Sequence, residues 1–142
     1  MTQVFLDVNV PMYAAGKEHE LKVSCQWVME EIVEGGINAV VDTEIIQEIL
    51  YRFGAIHRRE IGARLARHVM TIVPTVLSIT PEDAEKTIEL FEVYSEKNIS
   101  ARDCIHAAVM INRGIEEIIS VDVDFDVFTE IRRIDPRNLA PK

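Results

Sequence analysis

Short apolar runs and helix-spaced apolar stripes take turns along the chain. Residues 4–8, VFLDV, are an apolar run around one acid and suit a buried strand ending at Asp7. Pro11 opens a helical stretch. Residues 20–34 then place Leu21, Cys25, Val28, Ile32 and Val33 at helical spacing until Gly35 and Gly36 stop the pattern. Residues 37–42, INAVVD, read as a second buried strand. Thr43 is the expected N-cap of a helix carrying Ile45, Ile46, Ile49, Leu50 and Phe53. An arginine-rich segment follows as one helix or two, with Gly54 and Gly62 as candidate breaks.

Residues 75–79 predict a short strand or an extended connection. Thr80-Pro81-Glu82-Asp83 supplies a cap, a proline at the first helical position and acids in the first turn, so a helix should run from there to about Glu96. Ser100 starts another, through Ile105, Ala108, Val109 and Ile111, ending near Gly114. Residues 115–121 predict a third strand, 125–129 a short helix, and 130–134 a last strand before a polar tail. Strands separated by helices imply parallel pairing, with helices on both sheet faces. The expected class is therefore α/β.

Composition narrows this. At 142 residues the chain fits one domain, 1–142. It has no run near the ~20 apolar residues of a membrane span and no export-signal pattern, so a cytoplasmic protein without membrane contact is expected. Cys25 and Cys104 lie far apart without zinc-type spacing and read as buried free thiols. The net charge of −9 argues against broad nucleic-acid affinity, yet its distribution is uneven. Residues 51–70 hold Arg52, Arg58, Arg59, Arg64 and Arg67 against one acid, Glu60.

The acids carry the candidate chemistry. Asp7, Asp42 and Asp122 fall at the carboxyl ends of predicted strands, the side on which parallel sheets bind ligands. Asp7 either bonds its own turn or holds a cation, since no basic residue precedes Lys17. Glu48 lies mid-helix beside the apolar stripe, whereas Glu44, one turn earlier, can offset the helix dipole. Asp103 fits a capping box with Ser100 but also sits beside Arg102 and His106. Asp122, Asp124 and Asp126 crowd the stretch VDVDFDV, where Asp124 and Asp126 need not share the direction of Asp122. Oxygen-only ligands suit Mg²⁺ or Mn²⁺ better than zinc.

Four stretches together resemble the PIN domain, and within it the toxin ribonucleases of VapBC-type toxin–antitoxin pairs. They are Val4-Phe5-Leu6-Asp7-Val8-Asn9-Val10, then Glu48-Ile49-Leu50, then Arg102-Asp103-Cys104-Ile105-His106-Ala107-Ala108, and last Ser120-Val121-Asp122-Val123-Asp124-Phe125-Asp126. The resemblance implies a three-layer α/β/α PIN-like fold with a central, mainly parallel sheet of four to five strands. It implies an Mg²⁺- or Mn²⁺-dependent endoribonuclease leaving a 5′-phosphate and a 3′-hydroxyl. Catalytic and metal-binding acids would be Asp7, Glu48, Asp103 and Asp122, joined at the metal by Asp126.

Asp124, Asn9 and Ser120 would be accessory, Asn9 orienting Asp7; Val8 stands where many members have Thr or Ser. Arg52, Arg58, Arg59 and Arg64 would contact RNA phosphates or an acidic partner. His106 is expected to pack beside the site rather than ligate. A homodimer and an antitoxin protein are the implied partners. The alternatives are a solitary PIN nuclease of RNA processing and a non-catalytic PIN-like module binding RNA or protein. A dehalogenase-type phosphatase is disfavoured, because Asn9 stands where that motif needs a second Asp.

Overall fold

In the computed structural model, residues 1–141 are described; Lys142, the last residue of the expected domain, lies outside them. Strands β1 (Gln3–Leu6), β2 (Asn38–Asp42), β3 (Thr75–Leu77), β4 (Glu117–Ile119) and β5 (Arg132–Ile134) form one sheet in the order β3-β2-β1-β4-β5. Every pairing is parallel, with Phe5 opposite both Val40 and Ile118. The helices are α1 (Asn9–Ala15), α2 (Lys22–Glu34), α3 (Thr43–Ala55), α4 (Arg59–Ile72), α5 (Pro81–Val93), α6 (Ala101–Asn112) and α7 (Pro136–Leu139). A 3₁₀ turn, Val123–Val127, joins β4 to β5. The five parallel strands flanked by helices agree with the expected architecture.

Burial explains the continuous apolar runs. Neighbouring residues on a strand point to opposite faces, yet Phe5 with Leu6, Val40 with Val41, and Ile118 with Ile119 are all buried, so both faces are covered. Each fully buried side chain of this size contributes roughly 1.5–3 kcal/mol. Around the sheet α1 packs on α2, α2 on α7, α5 on α6, and α3 on both α4 and α6.

The ends of the elements refine the sequence reading. The N-cap of α3 is Asp42 rather than Thr43: Asp42 Oδ1 accepts from Ile45 N at 3.1 Å, because β2 runs directly into the helix. Thr80 and Asp83 form the expected capping box on α5, but the helix closes at Val93, short of Glu96. Ser100 caps α6 by accepting from Asp103 N at 3.0 Å, and the return bond of a capping box, from the Ser100 amide to the Asp103 carboxylate, is not formed. Of the two candidate glycine breaks, Gly62 lies inside α4. It lets the helices meet, since a Cβ there would stand 2.6 Å from Phe53 Cβ. The chain turns instead at His57, whose φ of 58° lies in the left-handed region.

Position in the sheet decides where a ligand fits. From β1 the chain moves outward to β2 and β3; it then returns to the other side of β1 as β4 and β5. The gap beyond the carboxyl ends of β1 and β4 is therefore the switch point, the usual ligand crevice of an open parallel sheet. The Asp7 amide reaches across it, donating to Ile119 O at 3.1 Å.

A buried ion pair ties α5 to α6 away from this crevice. Asp83 is 1% exposed and accepts from Arg113 Nη1 and Nη2 at 2.8 and 2.9 Å, and from Asn112 Nδ2 at 2.9 Å. The Arg113 bonds hold its carboxyl well below the usual carboxylate range, outweighing the effect of burial. A depressed folded pKa stabilises the fold above the unfolded value of 3.8 and loses that effect as pH falls below it. Asp83→Asn should therefore lower stability by roughly 3 kcal/mol in urea unfolding at pH 7. The gap to wild type should narrow as the pH of the titration is lowered from 4 toward 2.

Candidate active site

Asp7 leaves β1 buried and comes to rest among donors. Its Oδ1 accepts from Val8 N at 2.8 Å; its Oδ2 accepts from Ser120 Oγ at 2.6 Å and Asn9 Nδ2 at 3.0 Å. Asn9 also accepts from Val121 N through Oδ1, so it ties the β1 end to the β4 end. Ser120 does the same in the other direction, accepting from Asp122 N at 3.0 Å. The side chain of Val8 is buried in the core, and only its amide serves Asp7.

Asp103, Asp122 and Asp124 meet in front of this bridge. One carboxylate oxygen from each lies within 4.8 Å of the others. Asp103 comes from the first turn of α6, and Asp122 from the residue that caps the 3₁₀ turn by accepting from Asp124 N at 3.0 Å. Asp126, on the same turn, faces the other way. Its carboxylate is held by Arg133, with Nε to Oδ1 at 3.0 Å. Asp124, expected only as accessory, thus stands beside Asp103 and Asp122 in place of Asp126, which was expected at the metal.

Glu48 lies at mid-α3, 4% exposed, and is surrounded by cations: Arg52 at 3.0 Å, Arg102 at 3.8 Å and His106 Nε2 at 3.6 Å. Glu44, one turn earlier, pairs with Arg102 at 3.3 Å. His106 is fully buried, with Nδ1 2.8 Å from Asp42 Oδ2. This pairing joins residues 64 positions apart. No spacing in the sequence signals it, and Asp42 accordingly serves α3 and His106 rather than the acid cluster.

The electrostatics follow from these neighbours. Burial raises the Asp7 carboxyl above its usual value, against the lowering pull of His106 and of the Ser120 hydroxyl. Asp103 is pushed up to about 6 by burial and by the charges of Asp122 and Asp7. Burial and the Asp122 charge raise Asp124 as well. Glu48 behaves in the opposite way: burial disfavours its charge, but His106, Arg52 and Arg102 outweigh burial and keep it below its usual range. Burial also disfavours charge on His106, yet its carboxylate neighbours Asp42 and Glu48 push it up to about 10. An oxygen-only cluster with raised carboxyls and no cation of its own fits a divalent metal of the hard, oxygen-seeking kind.

The expected basic contacts divide. Arg52 is engaged by Glu48, whereas Arg58, Arg59 and Arg64 are exposed and take part in none of the ion pairs among the described residues.

Comparison with known proteins shows the family. The sequence model of the PIN domain matches residues 4–131. The chain belongs to the PIN-domain family. Among curated relatives, Ribonuclease VapC13 of Mycobacterium tuberculosis is 35% identical over 131 residues, spanning 92% of this chain and 98% of that one. Ribonuclease VapC23 of the same species is 27% identical over 120 residues, spanning 84% and 92%. The fold matches Mycobacterium tuberculosis VapC20, described as a Sarcin-Ricin loop cleaving toxin, with a TM-score of 0.72 at 19% identity, covering 91% and 98% of the two chains. It also matches the DNA-bound VapBC of Salmonella typhimurium with a TM-score of 0.74 at 14% identity, covering 96% and 99%. In this PIN domain the bridge at Asp7 is open to test. Ser120→Ala removes a bond that lowers the Asp7 carboxyl, so its pKa should rise above wild type in ¹³C carboxyl titrations of the metal-free protein.

Proposed function

We propose that the protein is a divalent-metal-dependent endoribonuclease, the toxin of a toxin–antitoxin pair, working through Asp7, Glu48, Asp103 and Asp122 with Asp124 beside them. The observation that carries this reading is the meeting of Asp103, Asp122 and Asp124 in front of buried Asp7 at the β1–β4 switch point. Its biological class is supported by the likeness to relatives named VapC ribonucleases and to the VapBC complexes. The chain is read as one domain in the cytoplasm.

An anionic phosphodiester cannot approach so many carboxylates unaided. Bound there, Mg²⁺ or Mn²⁺ would offset that repulsion, lower the pKa of a water and stabilise charge on the phosphoryl oxygens. The protein's own part is positioning. Val8, Asn9 and Ser120 hold Asp7 in one orientation, and Asp122 is fixed by the turn it caps. Asp103 must give up its proton to act as a ligand, so cation binding should weaken as pH falls through about 6.

Arg58, Arg59 and Arg64, exposed and outside the ion pairs among the described residues, are available to an RNA backbone. The exposed apolar side chains Tyr51, Ile56 and Ile61 beside them offer surface for a second copy or an antitoxin chain.

Purified protein should cleave RNA with Mn²⁺ and stop with EDTA. Asp7→Asn and Asp103→Asn should each lose about a hundredfold or more in rate. Mg²⁺ should raise the melting temperature of wild type and do so less in either variant; equal melting with and without metal would argue for the non-catalytic module. Neutralising Arg58 and Arg59 together should weaken RNA retention and flatten its salt dependence by about 0.7 in log–log slope per arginine. An unchanged slope would assign that face to a protein partner.

A further inference from the structure

His106 has no exposure, so it touches neither solvent nor substrate. Its ring stands between two carboxylates and tilts against the Phe5 ring, with centroids 5.4 Å apart. On one side, Nδ1 lies 2.8 Å from Asp42 Oδ2, while Asp42 Oδ1 is committed to the first turn of α3. Both Asp42 oxygens are thus engaged, one by the helix and one by the ring it orients. On the other side, Nε2 is a buried nitrogen without a hydrogen-bond partner, and it stands 3.6 Å from Glu48 Oε1. A lone pair on Nε2 would repel that oxygen; a hydrogen there is drawn to it.

Glu48 needs such a guide. Its other oxygen, Oε2, is held by Arg52 at 3.0 Å with Arg102 at 3.8 Å, and Arg52 is an exposed, flexible side chain. Without the ring, the arginines alone would set the direction of the carboxylate, whose charge is felt at Asp7. We propose that His106, anchored by Asp42, is a positioning residue that aims the Glu48 carboxylate into the acid cluster. The buried Asp42–His106–Glu48 chain transmits the fixed geometry of the β2 end to a side chain at mid-α3. This rests on the reading of Glu48 as one of the carboxylates of a metal-dependent nuclease. It adds a residue that acts only through Glu48.

The test is a double-mutant cycle on Mn²⁺ affinity, measured on the full chain by electron paramagnetic resonance without RNA. His106→Leu should weaken Mn²⁺ binding by about 10- to 100-fold, the size typical of groups that orient metal ligands. In a Glu48→Gln background the same substitution should change little, because its route of action is already gone. In RNA cleavage the loss should fall on kcat, with KM near wild type. Equal Mn²⁺ affinity in folded His106→Leu, or losses that add in the double variant, would overturn the proposal. Should His106→Leu lose its cooperative melting, His106→Gln is put through the cycle. Its amide keeps a donor for Glu48, so a smaller but still non-additive loss is expected, and none, or additivity, overturns the idea. Wild type that binds no Mn²⁺ and cleaves no RNA would sink the nuclease reading as well; normal wild type with unaffected His106 variants would sink this inference alone.

Discussion

Carboxylates a few ångströms apart repel one another strongly wherever water between them is scarce, and this chain gathers several at the end of two adjacent strands. The surrounding structure meets that repulsion in three ways. Around Asp7 it supplies neutral donors, an amide, a hydroxyl and a side-chain amide, which stabilise negative charge without cancelling it. Around Glu48 it supplies cations, two arginines and a buried histidine. Around Asp103, Asp122 and Asp124 it supplies neither to a comparable degree, so burial, together with the Asp122 charge, raises the carboxyls of Asp103 and Asp124. On the proposed reading, a cation from solution would complete the arrangement where protein groups stop.

That unequal treatment gives the site a direction. The donors and cations that belong to the protein come from the ends of β1 and β4, the start of α1, and the helices α3 and α6, and they serve the buried acids Asp7 and Glu48. The uncompensated carboxylates lie toward the opening, on the first turn of α6 and the turn after β4. The arginines of α4 and of the turn before it are exposed and take part in none of the ion pairs among the described residues. A phosphate would meet positive charge at those arginines and negative charge at the site, so on the proposed reading only the site would call for an ion to admit it.

Much of this was legible in the residues. Asp7 interrupts an apolar run, and Asp122 ends one, so both could be placed at strand ends and on the ligand side of a parallel sheet. Local chemistry also identified Thr80 and Ser100 as caps correctly, because a cap depends on residues within one turn. Other assignments depended on distance in space. Thr43 was the reasonable cap of α3, yet the strand enters the helix without a linker and Asp42 takes the position. The residues favoured Asp126 at the metal and left Asp124 as accessory; a 3₁₀ turn, and Arg133 arriving from β5, engage Asp126 and leave Asp124 beside the cluster.

His106 shows the same limit. Its place one turn after Asp103 suggested a residue near the site, but its partners come from β2 and α3, and only the packing of α6 against α3 brings them to it. Patterns with a period of two or 3.6 residues report which face of an element is buried, since burial acts on each element through its own repeat. The amino-acid sequence by itself therefore determined the alternation of strands and helices, the acids at strand ends and the chemical type of the site. The tertiary structure alone decided which carboxylates share an opening and which receive a counter-charge. Those outcomes rest on contacts between residues far apart in the chain, and no local repeat encodes them.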